Sequence, residues 1–217
     1  MRREARPLSA EEYRAWIDFL MGDHWIVERV PSGAMAALWS MTVCGLRIGE
    51  ASSMERSWHE NTHNGPQLMI TGGGQNGTPK TENGVRAVPI PPKMECYHTG
   101  ETIQLPANSL IQAHFVGNQT IGRSSGSIRR WFYKLAKHSN LMEMMDTHDV
   151  TPDGFESPIT IPDVQLHDLR ASWAAQCLRS GVSRYTVRDW GGWSGLDMVD
   201  RYAKYVGDPG GNQIAKF

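Results

Sequence analysis

Two short segments each place an arginine three residues from a polar partner. In CGLRIGE the pair is Arg47 and Glu50; in LHDLR it is His167 and Arg170. That spacing puts both members of a pair on one face of a helix. An arginine fork held in this way can donate two parallel hydrogen bonds to a carboxylate or a phosphate. Taken singly, each pair has an ordinary account: Arg47–Glu50 as a surface ion pair worth less than ~1 kcal/mol, and His167 as a helix cap with Arg170 in water. A third segment, GGWSGLDMVDRYAKY, carries Trp193, Tyr202 and Tyr205. A phenol has an ordinary pKa of about 10 and is a weak nucleophile until nearby cations or a base favour its phenolate. Other chemistries find no matching pattern. Gly72-Gly73-Gly74 and Asn76-Gly77 carry no GKS or GKT and open no helix, so they do not form a P-loop. The histidines contain no HExxH pair, and Cys44, Cys96 and Cys177 are too few and too widely spaced for a disulfide framework or zinc ribbon. No carboxylate cluster suggests a two-metal site, so neither a metal nor a cofactor is expected.

These residues need elements to hold them. Ser9-Ala10-Glu11-Glu12 reads as a capping box that starts a helix with Trp16, Ile17, Leu20 and Met21 at helical spacing. A second helix is predicted over Gly33 to Val43, with Met35, Leu38 and Met41 on its apolar face and Gly45 as its stop. A short helix follows from Ile48. Gln67 to Thr71 and Val85 to Ile90 read as two strands of a hairpin with a long glycine-rich tip. Residues 93–108 show no clear period. A basic and aromatic helix is predicted over Ser125 to Ser139, with Ile128, Trp131, Phe132 and Leu135 on one side. Residues 141–165, with three prolines, read as a long loop. Three helices close the chain: Leu166 to Arg179, Val182 to Trp190 and Leu196 to Val206. Helices, hairpin, then helices argue for an α+β domain, mostly helical with a small antiparallel sheet.

Of 217 residues, 40% are hydrophobic and 21% charged, as in an ordinary globular domain. No apolar run approaches the roughly 18 residues of a membrane span, and no secretory leader opens the chain, so a cytoplasmic setting without membrane contact is expected. The net charge of −1 argues weakly against a nucleic-acid partner, yet Arg123, Arg129, Arg130, Lys134 and Lys137 follow one another with no acidic residue between them.

Together the motifs resemble the catalytic domain of the tyrosine recombinase (phage integrase) family. The helix leading to LRIGE resembles its arginine box, LHDLRASWAA its His-x-x-Arg box, and GGWSGLDMVDRYAKY its last box, in which a His or Trp precedes the nucleophilic tyrosine by nine residues. Trp193 and Tyr202 stand at that spacing (202 − 193 = 9), a Cre-like variant. TPKTENGVRAVPI resembles the hairpin that presents the family's lysine, here Lys80. The resemblance runs from about residue 9 to 206. It implies a DNA breaking-and-rejoining fold and a site-specific DNA recombinase that forms a 3′-phosphotyrosyl link without metal or ATP.

In that chemistry Arg47 and Arg170 clamp the non-bridging phosphate oxygens, and His167 and Trp193 add donors. Tyr202 attacks, His167 assists as base, Lys80 protonates the leaving 5′ oxygen, and Glu50 orients its neighbours. Tyr205 lies one turn from Tyr202 on the same face, and only the distance from Trp193 favours Tyr202. Arg86, Arg123, Arg129, Arg130 and Lys134 are expected on the DNA backbone, where contacts give affinity without sequence choice. Double-stranded DNA is the implied partner, with a tetrameric synapse on DNA, a monomer when free, and a prokaryotic host or mobile element as the setting. Since few residues precede the first catalytic-domain helix, residues 1–217 are expected to be the catalytic domain alone, excised or naturally minimal. The tail GDPGGNQIAKF is expected to be mobile. Type IB topoisomerases share this chemistry and are the nearest alternative. A DNA-binding regulator without catalysis, or a helical domain with no DNA role, are the others.

Overall fold

The computed structural model describes residues 5–72, 84–95, 100–139, 144–150, 156–162 and 164–206. Its centre is helix α3, Ser32–Cys44, which is buried on every side from Gly33 to Cys44. A helix apolar all round can only be a core helix. Helix α1 (Ala10–Met21) lies against it. Tyr13 donates its hydroxyl to the Thr42 carbonyl at 2.7 Å, and the Trp16 ring nitrogen donates to Thr42 Oγ1 at 3.1 Å. The expected capping box is present, with Ser9 and Glu12 bonding each other's backbone N–H. Met21, expected on the apolar face, is 42% exposed, because the buried stripe ends with Leu20. A one-turn helix, α2 (Trp25–Glu28), leads into α3.

Gly45 ends α3 with φ +65, as anticipated. A Cβ there would lie 2.1 Å from the ring of Trp173, so this glycine also lets the next helix layer approach. Gly45→Ala should therefore cost stability twice, through left-handed strain and through overpacking, about 2–4 kcal/mol together. Urea unfolding of the variant measures it; a loss below about 0.5 kcal/mol would show that Trp173 moves aside freely.

Helix α4 (Ile48–Ser52) follows, then a single turn of 3-10 helix at Arg56–Trp58. The sheet has three antiparallel strands in the order β1-β2-β3: His59–Thr62, Gly65–Ile70 and Arg86–Pro89. The sequence pattern missed β1 because HENT has no apolar alternation. Leu68 pairs with Val88 and Ile70 with Arg86, so Leu68, Ile70, Val88 and Arg86 share the buried face.

Strands β4 (Lys93–Glu95) and β5 (Thr102–Gln104) form a small second ribbon, and helix α5 (Ala107–Phe115) packs on α3. Three-residue strands are too short to show a period, which is why 93–108 reads as featureless. Helix α6 (Ser125–His138) buries Ile128, Phe132, Leu135 and Ala136. The expected long loop is corrected: residues Met144–Val150 (β6) and Glu156–Pro162 (β7) pair antiparallel along their whole length. Prolines weakened the strand signal, yet in a two-stranded ribbon each strand keeps one open edge, where a missing N–H costs nothing. Helices α7 (Leu166–Arg179), α8 (Arg184–Gly191) and α9 (Asp197–Ala203) complete the fold. Helix α7 packs against α3, α8 and α9, and α8 packs against β3. The mostly helical α+β architecture is the expected one. Residues 73–83, with the hairpin tip and Lys80, Cys96, and the tail 207–217 lie outside the described residues.

Candidate active site

Arg47 is the residue that opens α4, and Glu50 stands three residues later. Glu50 Oε2 accepts the Arg47 backbone N–H at 2.7 Å, and Oε1 accepts Arg47 Nη1 at 2.8 Å. The carboxylate thereby caps the helix and holds the guanidinium that precedes it. Glu50 is buried, with a side chain only 6% exposed, and Arg86 comes to it from β3. Arg86 Nη1 and Nη2 reach the two carboxylate oxygens at 3.0 and 2.9 Å. Arg170 Nη1 lies 4.0 Å from Oε2. Burial alone would raise the carboxyl pKa. The hydrogen bonds and charge of Arg86, the charge of Arg170 and the Arg47 N–H outweigh it and hold Glu50 below the usual range.

Arg170 comes from the first turns of α7 and is buried. Its Nη1 donates to the Gly45 carbonyl and its Nη2 to the Gly191 carbonyl. Its guanidinium carbon sits 4.6 Å from the centre of the Trp193 ring. Burial, then the like charge of Arg47, brings the guanidinium pKa down to about 9, still cationic at neutral pH. The Trp193 ring lies 5.7 Å from that of Tyr202 and 6.2 Å from that of Trp173. Tyr202, on α9, is buried, whereas Tyr205 is 47% exposed beyond the helix end. Burial raises the Tyr202 pKa, and Arg170, Arg201 and Arg47 pull against it. The two tyrosines share a helical face but not their surroundings: Tyr202 packs against Trp193, whereas Tyr205 stands in solvent.

Arg47, Glu50, Arg170, Trp193 and Tyr202 are thus brought together from three helices, α4, α7 and α9, and the α8–α9 turn. His167 lies exposed in the first turn of α7, one turn before Arg170. The cap of that helix is Gln165, paired reciprocally with the buried Asp168, so His167 is not its cap. Arg86 is corrected. Expected on the DNA backbone, it is 5% exposed and points inward. Its donors go to Glu50, to the Trp190 carbonyl from Nε at 2.6 Å, and to the Gly84 carbonyl at 3.1 Å. The missed signal was alternation: Arg86, Val88 and Ile90 are two apart, and all are buried.

Arg123, Arg129, Arg130 and Lys134 are exposed, as is Lys137. Lys134 Nζ lies 4.8 Å over the half-buried Trp131 ring. The first residue of α6 meets α4, with Ser125 Oγ 2.9 Å from Ser52 Oγ, so the cationic surface begins beside the helix that Arg47 opens. Among the described residues no group of three His, Cys, Asp or Glu is placed to hold a metal ion, and no helix is long and apolar enough to cross a membrane.

The fold is that of the catalytic domain of tyrosine recombinases, and the motif resemblance therefore extends to the three-dimensional structure. The chain superposes on a Tn1549 transposon integrase in complex with circular intermediate DNA with a TM-score of 0.60 at 13% identity, over 93% of this chain and 61% of that one. On the XerH site-specific recombinase bound to a palindromic difH substrate the TM-score is 0.61 at 12% identity, over 99% and 53%. On a lambda integrase dimer bound to a core site it is 0.56 at 17% identity, over 96% and 50%. In sequence, the integrase of Salmonella phage P22 is 27% identical over 89 residues, 32% of this chain and 23% of that protein. No protein-family model matches the chain. The chain spans about half to three fifths of the solved recombinases and about a quarter of the phage integrase.

Proposed function

We propose that this chain is the catalytic part of a site-specific DNA recombinase that cuts and rejoins strands through a covalent bond between Tyr202 and the 3′ phosphate. The observation that carries this reading is the packing of a buried tyrosine against Trp193, whose ring also bears Arg170, with Arg47 held alongside by Glu50. A phosphodiester resists attack because its charge repels nucleophiles, and the transition state loads negative charge onto its non-bridging oxygens. Arg47 and Arg170 supply fixed cationic donors for those oxygens, with Trp193 beside them. His167, at the exposed mouth of α7, takes the phenol proton, and Lys80 returns a proton to the leaving 5′ oxygen. Tyr202 forms its oxygen–phosphorus bond as the 5′ oxygen–phosphorus bond breaks. A 5′ hydroxyl reverses the exchange, so the bond count is conserved and no nucleotide is consumed. Partners in this reading are duplex DNA and further copies of the chain assembled on it as a tetramer, in a prokaryotic cell or on its mobile elements.

The test is covalent capture on nicked duplexes with a randomised core, from which the short 5′ product escapes so that the adduct accumulates. Nuclease trimming and mass spectrometry should place the nucleotide on Tyr202. Failure of any adduct to form, with DNA bound, would leave a binding module without strand transfer. Relaxation of supercoils independent of sequence would instead favour topoisomerase-like action.

Arg123, Arg129, Arg130 and Lys134 supply the sequence-independent grip. Arg129→Ala and Arg130→Ala should each weaken binding similarly on all sequences and reduce the salt slope of log K by about 1 for each phosphate the side chain neutralises. Binding titrations at several salt concentrations measure this, and an unchanged slope would remove the residue from the interface.

A further inference from the structure

The end of α8 leaves five carbonyls to be satisfied, and every one has an identified donor. The Arg188 and Asp189 carbonyls accept the Trp193 and Gly192 N–H groups at 3.1 and 3.0 Å, the usual wrap of a helix ending on a left-handed glycine. The next three carbonyls in sequence each accept from a different arginine. Trp190 takes Arg86 Nε at 2.6 Å, Gly191 takes Arg170 Nη2, and Gly192 takes Arg47 Nη2 at 3.3 Å. On the opposite side Glu50 binds Arg47 and Arg86 and lies 4.0 Å from Arg170. Three like charges are thereby held together between one carboxylate and the negative end of a helix dipole.

We infer that this carbonyl ladder, with Arg86 as its innermost member, is the frame that positions the two phosphate-binding arginines, and that Arg86 is a positioning residue which never touches DNA. Arg86 joins the two halves of the frame, since the same guanidinium holds both Glu50 and the last turn of α8. Removing it frees Glu50 to turn wholly toward Arg47 and releases Trp190, so the carbonyls of Gly191 and Gly192 shift under Arg170 and Arg47. The ladder also explains the pair of glycines. Gly192 has φ +61, and a Cβ on Gly191 would lie 2.2 Å from the Trp193 ring. Only a bare backbone can turn its carbonyls to the arginines while Trp193 folds back over Arg170.

This inference rests on the proposed function only for its catalytic consequence, and two readouts separate the two. The first is arginine-selective NMR of the full chain without DNA. In the native chain the guanidinium protons of Arg86 and Arg170 should exchange slowly. In Arg86→Lys those of Arg170 should exchange rapidly while the backbone amide spectrum is retained; unchanged Arg170 protection would overturn the frame. The second is single-turnover cleavage of the nicked duplexes at saturating DNA. A misplacement of the clamp by about 1 Å should cost roughly 100-fold in rate. A residue off the DNA surface should leave Kd within about twofold and the salt slope unchanged. Guanidinium ion added to Arg86→Ala should restore part of the lost rate, which a merely structural defect would not allow. Weakened binding with a reduced salt slope and a normal rate would return Arg86 to the DNA interface and sink the proposal. If Arg86→Lys does not fold, Gly192→Ala, which strains the same ladder from the other side, should show the same loss of Arg170 protection, and its absence counts against the frame. Should the native chain form no adduct while the NMR coupling is seen, the frame stands and the proposed activity fails.

Discussion

Tyr202→Phe is expected to abolish covalent capture of DNA, by at least about four orders of magnitude in rate, because the atom that bonds phosphorus is gone. Tyr205→Phe should leave capture within about threefold, less than 1 kcal/mol of barrier. The contrast follows from packing. Tyr202 is 3% exposed against Trp193 and within the field of Arg170 and Arg47. Tyr205 is 47% exposed past the end of α9, where its carbonyl receives Arg179. Burial raises the Tyr202 pKa, so its phenol is protonated at neutral pH, and the proposed attack would need a base as well as cations. Binding should survive in both variants, since neither hydroxyl supplies the phosphate grip. Capture that disappears in Tyr205→Phe and persists in Tyr202→Phe would overturn the assignment.

The second large effect belongs to Glu50. Glu50→Leu leaves Arg86 buried without its counter-charge and should cost about 3–5 kcal/mol in urea unfolding. The double variant Glu50→Leu with Arg86→Met removes the carboxylate and its most tightly bound guanidinium and should recover only part of that loss, since Arg170 stays buried without the carboxylate, and should cleave no faster than Glu50→Leu. Recovery of cleavage along with stability would mean that the pair merely holds the fold. The acid limb gives an independent check. The folded-state pKa of Glu50 lies below its unfolded value of about 4.3, so its contribution is fully present above that pH. It is lost as the pH falls through the lower folded value. Glu50→Gln should therefore flatten the acid part of the stability profile and leave the neutral part lower but parallel.

Much of this site is legible in the sequence because its residue types are unusual for where they sit. An arginine in the apolar face of LHDLRASWAA, and another two residues after a helix-ending glycine, have few structural uses. Capping chemistry and 3.6-residue spacing placed α1, α3, α6 and α7 within a residue or two, and Gly45 marked the turn that aims Arg47. Three things were hidden, each for a physical reason. Strand β1 carries no alternation, and β7 is interrupted by prolines that a two-stranded ribbon tolerates. Arg86 looks like a surface cation when its charge is weighed before the period-two pattern that buries it with Val88. The carbonyls of residues 190–192 do not depend on side-chain identity, so no residue type could announce them beyond the two glycines.

The distances along the chain that this frame closes bear on when the proposed activity could arise. Arg170 reaches back 125 residues to Gly45, Gly192 meets Arg47 across 145, and Trp190 meets Arg86 across 104. Such loops are costly to close and are closed only when most of the chain is available. During synthesis, Arg47 and Arg86 leave the ribosome long before the end of α8, whose carbonyls accept from them. In the proposed reading, a partly made or truncated chain ending before residue 190 would carry the exposed cations of α6 but neither the carbonyl frame nor Tyr202. If the proposed function holds, competence to cut would arrive in a single late step, with the same docking event that completes the fold.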